Sequence, residues 1–130
     1  MEYSAKKKRI WRFDGKRLVS PEGAEWEAVS GPHGKGALPE GLYKIGQAVA
    51  IDPVDQRNRP YRDHAGLAWW CPLYPQFETE RTGLGIHPDG NIPGTAGCIG
   101  IREKDTRELF ARLKKADGER LEVGGSKIGV

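Results

Sequence analysis

Alternating apolar and polar positions predict a series of short β-strands along most of this chain. In the first half, the pattern predicts strands at residues 9–13, 16–20, 26–29 and 42–46. In the second half, shorter apolar runs predict strands at residues 67–71, 84–87, 99–101 and 121–123. The Asp14-Gly15 pair favours a hairpin between the first two strands, since both residues tolerate positive φ. Residues 52–66 are polar and contain two prolines and a glycine, which is typical of a long surface loop.

One segment has the spacing of an amphipathic helix. Asp105 with Glu108 three residues later is a variant of the capping box, which predicts that a helix begins there. The apolar residues that follow share one helical face: Leu109, Phe110, Leu113 and Ala116. Gly118 then ends the segment. One helix among many strands predicts a single, mostly β domain of the α+β class at residues 10–124, between a basic tail at 1–9 and a second tail at 125–130.

Composition narrows the class of protein. A chain of 130 residues has the length of one domain, and its 18 glycines and 9 prolines favour turns and short strands. The net charge of +3 includes a basic run at residues 6–9, which we interpret as a solvated tail, because nucleic-acid binding normally needs a longer basic surface. We expect no membrane span, as no apolar run approaches the ~18 residues required. We also expect no signal peptide, because the N-terminus lacks an apolar segment.

The two cysteines, Cys71 and Cys98, are too few for a disulfide framework. Neither has the spacing of a zinc site, so we expect no metal and no cofactor. Cys71, next to a proline, is interpreted as a structural thiol. A buried structural role is also the general alternative for Cys98, since free cysteine is among the most buried residue types.

Cys98 nevertheless has neighbours that favour chemistry. It precedes a predicted strand, while His87 ends another, and the loop between them is rich in Gly and Pro. Such a loop can bring a thiol and an imidazole within hydrogen-bonding distance, and an imidazole activates cysteine as a nucleophile. Gly97 has no Cβ, so the backbone can turn tightly there and present N–H groups to an oxyanion.

This region resembles the catalytic domains of the L,D-transpeptidase (YkuD-like) family. The family signature is a histidine, a loop, and then [S/T]-H-G-C followed by an apolar residue and Asn or Arg. This chain has Ile86-His87 and, after the loop, Thr95-Ala96-Gly97-Cys98-Ile99-Gly100. The resemblance extends over about residues 10–124 and departs from the signature at Ala96 and Gly100. The short loop is similar to that of small type VI secretion effectors and phage lysis enzymes of this superfamily.

The resemblance implies a β-sandwich or barrel with one main helix after the cysteine, and an enzyme acting on the stem peptide of peptidoglycan. Cys98 would attack the carbonyl of the L,D bond between the third residue, a diamino acid, and D-Ala. His87 would act as base and then as acid, and the N–H groups of Gly97 and Cys98 would stabilise the oxyanion. Water would resolve the thioester in a carboxypeptidase or endopeptidase, and an amine would do so in a transpeptidase or amino-acid exchange. The sequence leaves both open.

Five further residues are candidates for substrate binding: Thr95, Tyr43, Arg102, Trp70 and Arg81. A guanidinium matches a carboxylate, and the adjacent Trp69 and Trp70 offer an apolar platform, although we expect one of them in the core. Structural roles are the alternatives: loop hydrogen bonding for Thr95, core packing for Tyr43 and surface ion pairs for the arginines. Asp89 is a candidate either to orient the histidine or to form a plain turn.

A non-catalytic wall-binding or virion module with the same fold is the alternative function, and it is favoured by the two departures from the signature. Thiol reactivity distinguishes the two, because we expect an active-site Cys98 to be alkylated rapidly below pH 7. A papain-like or amidase-type peptidase is disfavoured, since there the cysteine precedes the histidine.

The expected location follows from the substrate. We expect a monomer that is made in the cytoplasm without a signal peptide and acts in the periplasm or cell wall. Delivery by a secretion system or by phage lysis would bring it there. The partners that this implies are the peptidoglycan stem peptide, the delivery machinery and an immunity protein, with no nucleic acid among them.

Overall fold

The computed structural model describes residues 6, 8–31, 34, 36–90, 95 and 97–124, and the structural statements below concern these residues. Most of the two predicted tails therefore lies outside the described residues, as does Ala96. Within the basic tail, the Nζ of Lys6 donates hydrogen bonds to the carbonyls of Lys115 and Asp117.

The mostly β prediction is confirmed. In the described ranges the strands are β1 (Ile10–Phe13), β2 (Arg17–Val19), β3 (Glu25–Val29), β4 (Gly41–Ile45), β5 (Val49–Ala50), β6 (Trp69–Pro75), β7 (Gly85–Pro88), β8 (Ile99–Ile101) and β9 (Arg120–Val123). A 3₁₀-helix lies at Gln56–Tyr61, and the helix α1 spans Arg107–Lys114. No helix in the described part of the chain is long and apolar enough to cross a membrane.

The strands close into a barrel. Hydrogen bonds link them in the order β4-β9-β1-β2-β3-β8-β7-β6, and β4 also pairs with β6. The predicted hairpin between β1 and β2 is confirmed, with the Asp14 carboxylate accepting the N–H groups of Lys16 and Arg17. Gly15 adopts a φ of 96° in that turn, where a side chain would be strained.

β5 continues β4 along the same edge of β6, after a bulge. Ile45 lies opposite Leu73 and Val49 opposite Trp70, so three residues of one strand face two of the other. At this bulge the N–H of Gly46 donates to the carbonyl of Pro72 at 2.9 Å. The N–H and C=O of one residue point to the same edge of a strand, so an N–H at residue 72 would also point to the bulge. The N–H that proline lacks is therefore not missed by the sheet, and β6 continues through Pro72 beyond its predicted end.

Alternate residues of the strands fill the barrel interior. The core includes Trp11, Phe13, Trp26, Ala28, Tyr43, Ile45, Leu121 and Val123. Leu109 and Leu113 of α1 join this core as predicted, each 0% exposed, and each such side chain contributes ~1.5–3 kcal/mol by burial.

The start of α1 differs from the prediction. The helix begins at Arg107, and Thr106 occupies the N-cap position without a capping hydrogen bond from its side chain. Asp105 accepts the N–H of Arg107 at 3.0 Å, but Glu108 forms an ion pair with Arg112 instead of closing a capping box. The predicted capping box is therefore wrong, because the helix begins one residue later and Thr106 instead of Asp105 occupies the N-cap position.

A buried polar network ties the loop at residues 52–66 to the start of α1. The Thr106 hydroxyl donates to the Asp63 carboxylate at 2.7 Å and accepts the indole N–H of Trp69, also at 2.7 Å. The Thr106 N–H donates to the same Asp63 oxygen at 2.8 Å. Asp63 and Thr106 are 5% and 0% exposed. The loop lies at the surface as the sequence predicts, and this network anchors its end to the fold.

Replacing Thr106 by valine should destabilise the protein, because the isosteric change leaves the buried N–H of Trp69 without its acceptor. We expect the free energy of unfolding to fall by ~1–3 kcal/mol. Chemical denaturation would measure this loss, with the exposed Thr82→Val as the matched control. Equal stability of the two variants would contradict the importance of the network.

Candidate active site

Cys98 and His87 are brought together by the parallel pairing of β7 and β8. Ile86 lies opposite Ile99 and His87 opposite Gly100. The two isoleucines are 0% exposed and face the interior, so the residues on either side of them face outward. By the same register, Cys98 lies beside the residue before Ile86. The thiol and the imidazole therefore occupy the same outer face of the barrel, two residues apart along the strands.

Thr95 holds the loop that precedes Cys98. Its hydroxyl donates to the carbonyl of Cys98 at 2.5 Å and accepts the N–H groups of Gly31 and Gly97 at 3.0 and 3.3 Å. Its own N–H donates to the carbonyl of Gly31 at 2.8 Å. Thr95 is 5% exposed, so the structure gives it the loop role rather than a groove-lining one. It fixes where the cysteine main chain lies.

The His87 ring has a defined tautomer and an aromatic enclosure. Its Nδ1 lies 2.6 Å from the carbonyl of Pro88, which only accepts, so Nδ1 carries the proton and Nε2 is the basic atom. Trp70 stacks on the ring with centroids 5.8 Å apart, and Tyr61 meets it edge-on at 4.8 Å. The Pro88 carbonyl thus takes the orienting role that the sequence assigns to Asp89.

Enclosure changes the protonation of both candidate groups. Burial lowers the pKa of His87 to about 4, because an imidazolium would lose its hydration. Burial likewise raises the pKa of Cys98, opposed by the N–H of Gly85 and the charge of Arg81. The thiol donates to the carbonyl of Gly83 at 3.7 Å. At rest the pair is therefore a neutral thiol and a neutral imidazole, not the ion pair that rapid alkylation below pH 7 requires.

Arg81 and Gly97 fit together beside the thiol. Gly97 has a φ of 134°, and a Cβ built there would overlap the Nη2 of Arg81. The guanidinium bridges to another loop by donating to the carbonyls of Gly36 and Ala37, each at 3.4 Å. The left-handed φ favours glycine at this position, and the missing Cβ leaves space for the guanidinium. The N–H of Gly97 is directed at Thr95, which takes it away from the oxyanion role that the resemblance implies.

Trp70 covers the strand next to Cys98. A Cβ on Gly85 would lie 2.6 Å from the indole of Trp70, so the ring rests over that glycine. Trp69 is 0% exposed, whereas Trp70 is half-buried, which agrees with the expectation that one of the two lies in the core. Tyr61 was missed by sequence reasoning. Its one signal is an aromatic residue within a polar loop.

The other sequence candidates have partners within the protein. Tyr43 is 0% exposed and donates to the carbonyl of Pro39 at 2.6 Å, and burial raises its pKa to about 12. It packs in the core and does not line the site. Arg102 is 43% exposed and pairs with Asp89 at 3.5 Å. Cys71 is a free, fully buried thiol whose pKa burial raises to about 12.

No cluster of three or more metal-ligating side chains is present among the described residues.

The comparison with protein-family models agrees with the resemblance drawn from the motif. The model of the YkuD family, described as the L,D-transpeptidase catalytic domain, matches residues 3–124. No curated protein gives a significant match. Among solved structures, the crystal structure of Mycobacterium tuberculosis L,D-transpeptidase 1 at 1.89 Å is similar, with a TM-score of 0.47 and 14% identity. That match covers 92% of this chain and 60% of the other, so this chain spans less than two thirds of that protein.

Cys98 should react slowly with iodoacetamide at neutral pH. Because its pKa is raised, we expect the labelling rate to climb with pH up to or beyond the ordinary thiol value of ~8.5. Mass spectrometry would follow labelling, and Cys98→Ala would report the background from the buried Cys71. A high plateau rate already at pH 6 would show instead a thiolate–imidazolium pair.

The buried His87 should make stability fall in mild acid. In the unfolded chain His87 takes up a proton below pH ~6.5, whereas in the folded protein it does so only near its lowered pKa of about 4. The free energy of unfolding therefore falls as the pH is lowered through this window. From pH 7 to 5 we expect the wild type to lose ~2 kcal/mol more than His87→Gln. Denaturation at both pH values tests this, with the exposed His64→Gln as control. Parallel losses in all three proteins would contradict it.

Proposed function

The chain belongs to the YkuD family of L,D-transpeptidase catalytic domains, and from this premise we propose that it cleaves or exchanges the L,D bond of the peptidoglycan stem peptide. Cys98 is the proposed nucleophile and His87 the proposed base. The observation that carries this is the register of β7 with β8, which puts both side chains on one outer face. Burial shifts the pKa values of both groups, and the positive charge of Arg81 acts on the thiol.

The proposed reaction starts from the neutral pair. As the Cys98 sulfur bonds to the carbonyl carbon, Nε2 of His87 accepts the thiol proton, and it then gives this proton to the leaving amine as the C–N bond breaks. A thioester remains on the enzyme. Water resolves it to an acid, or an acceptor amine resolves it to a new amide. The proton held at Nδ1 by the Pro88 carbonyl keeps Nε2 available throughout.

The lowered pKa keeps His87 in its neutral form at neutral pH, and it also makes the imidazole a weaker base than one whose pKa lies near the working pH. An imidazole with a pKa of about 4 is almost entirely unprotonated at neutral pH, so no fraction of the enzyme is lost to the inactive imidazolium form. The imidazolium that forms during the reaction is costly in this enclosure, which favours rapid return of the proton to the leaving amine. Positive charge on Arg81 stabilises the anionic sulfur while it forms.

The oxyanion is assigned to the main-chain N–H of Cys98 in this proposal, since the N–H of Gly97 is directed at Thr95. Thr95 contributes by fixing the Cys98 peptide through its hydrogen bond to the Cys98 carbonyl. It is thus a positioning residue in the proposed mechanism. Trp70, resting over Gly85 beside the thiol, is the proposed apolar wall for the stem peptide.

Packing accounts for one departure from the family signature. A Cβ on Gly100 would lie 2.8 Å from the Thr95 methyl group and 3.0 Å from the Asp89 Cβ. The position therefore accommodates no side chain in this loop arrangement, whether or not the protein is catalytic. This removes Gly100 as support for a non-catalytic module.

The proposed substrate places the site of action in the periplasm or cell wall. Delivery by a secretion system or by phage lysis, with an immunity protein as an additional partner, extends this proposal. These extensions are supported by the similarity of the short loop between His87 and Cys98 to that of such enzymes.

Purified disaccharide-tetrapeptide provides the direct test. We expect mass spectrometry to show loss of D-Ala, or its replacement by an added D-amino acid, with the wild type and not with Cys98→Ala. His87→Gln should be slower by roughly 10²-fold or more, because His87 is the one described base on the face that carries the thiol. Cys71→Ala is the matched thiol control and should retain activity. Turnover by Cys98→Ala would contradict the proposal, and cross-linked sacculus should be tried if the tetrapeptide is not cleaved.

A further inference from the structure

Arg81 is a cation beside the nucleophile whose side chain has only main-chain acceptors among the described residues. Its guanidinium donates to the carbonyls of Gly36 and Ala37 over long distances of 3.4 Å, and no described carboxylate lies within ion-pair distance of it. The residue is half-buried. A partly desolvated guanidinium is normally paired with an anion, so these contacts leave room for a ligand that carries one.

Arg102 differs from Arg81 both in its exposure and in having a carboxylate partner. It is 43% exposed and is paired with the Asp89 carboxylate, which is itself only 3% exposed. A substrate carboxylate would have to compete with that internal partner. Of the two arginines proposed from the sequence to bind substrate, the structure therefore favours Arg81.

The position of Arg81 relative to His87 decides which part of a substrate it faces. β7 and β8 run in the same direction, and His87 lies two residues beyond the level of Cys98. Arg81 precedes β7, and its guanidinium packs on Gly97, which precedes Cys98. The base and the cation thus flank the thiol from opposite ends. Because His87 must reach the leaving amine, the acyl part of the substrate extends toward Arg81.

We propose that Arg81 binds a carboxylate on the acyl-donor part of the stem peptide and so selects stems that carry one there. This rests on the proposed function. Two groups supply the required chemistry: a free side-chain carboxylate on the diamino acid whose carbonyl is attacked, and the α-carboxylate of the γ-linked glutamate that precedes it. A diaminodicarboxylic acid carries the first of these, and lysine does not. Both carboxylates are lost on amidation, which makes them separable by experiment.

Binding to the inactive Cys98→Ala protein tests this without turnover. Four tetrapeptides are compared by calorimetry: both carboxylates free, each one amidated, and both amidated. We expect amidation of the recognised carboxylate to weaken binding by about 10-fold or more, as for loss of a charge-assisted hydrogen-bonded pair. The singly amidated peptides identify which carboxylate is recognised.

Substitutions of Arg81 in the same background assign the effect. With Arg81→Gln, all four peptides should bind as weakly as the wild-type arginine binds the peptide that is amidated at the recognised carboxylate. Arg81→Lys keeps the charge without the planar fork, and should retain the preference at reduced affinity. Arg17→Gln, at an exposed arginine paired with Glu25, is the matched control and should retain the full preference.

Turnover by the otherwise wild-type chain separates the possible failures. Equal kcat/KM for all four peptides would overturn this inference alone. An Arg81→Gln variant that is slowed by the same factor on each peptide would also overturn it, since Arg81 would then stabilise only the sulfur or the oxyanion. Absence of binding and turnover with every peptide, together with an intact cross-linked sacculus, would overturn the proposed function, and the inference with it.

Discussion

The parallel pairing of β7 with β8 is the constraint on which the site depends. Two neighbouring parallel strands usually need a connection of a dozen or more residues. Here residues 89–98 alone separate the end of β7 from the beginning of β8. A short connection restricts where the main chain before β8 can lie. The hydrogen bonds of Thr95 to Gly31 and Cys98 restrict it further. The cysteine is therefore placed by the fold of its own loop, before any contact with the histidine.

The outer face of the barrel is made into an enclosed site by residues from the loop at 52–66 and from β6. Tyr61 and Trp70 cover His87, and the anchoring of Asp63 to Thr106 holds the end of that loop in place. The same enclosure sets the electrostatics, since it lowers the histidine pKa and raises that of the thiol. Both shifts oppose an ion pair between the two groups. In the proposed mechanism, proton transfer therefore accompanies the attack on the substrate.

Local patterns predicted much of the fold, and long-range contacts account for what they missed. The β1–β2 hairpin and the buried face of α1 follow from spacing within a few residues, and both are confirmed. The capping box failed because Thr106 takes the N-cap position in place of Asp105, and Thr106 is held there by Asp63, 43 residues away. Tyr61 was missed for the same reason, since its partner lies on β7. The positions of Cys98 and His87 at neighbouring strands were predictable from their spacing. The shifts of their pKa values were not, because these depend on what encloses the two groups.

Three glycines around Cys98 and His87 show how the sequence shapes the candidate site through missing side chains. The indole of Trp70 rests over Gly85, the guanidinium of Arg81 over Gly97, and Thr95 against Gly100. The absence of a Cβ at each position leaves space for a different neighbour: the aromatic wall, the cation or the residue that holds the loop. A Cβ at any of the three would force that neighbour to shift, while the cysteine and the histidine stayed in the sequence. A chain can therefore keep its cysteine and histidine and still lose the packing around them, so these three glycines belong to the proposed site as much as the two side chains do.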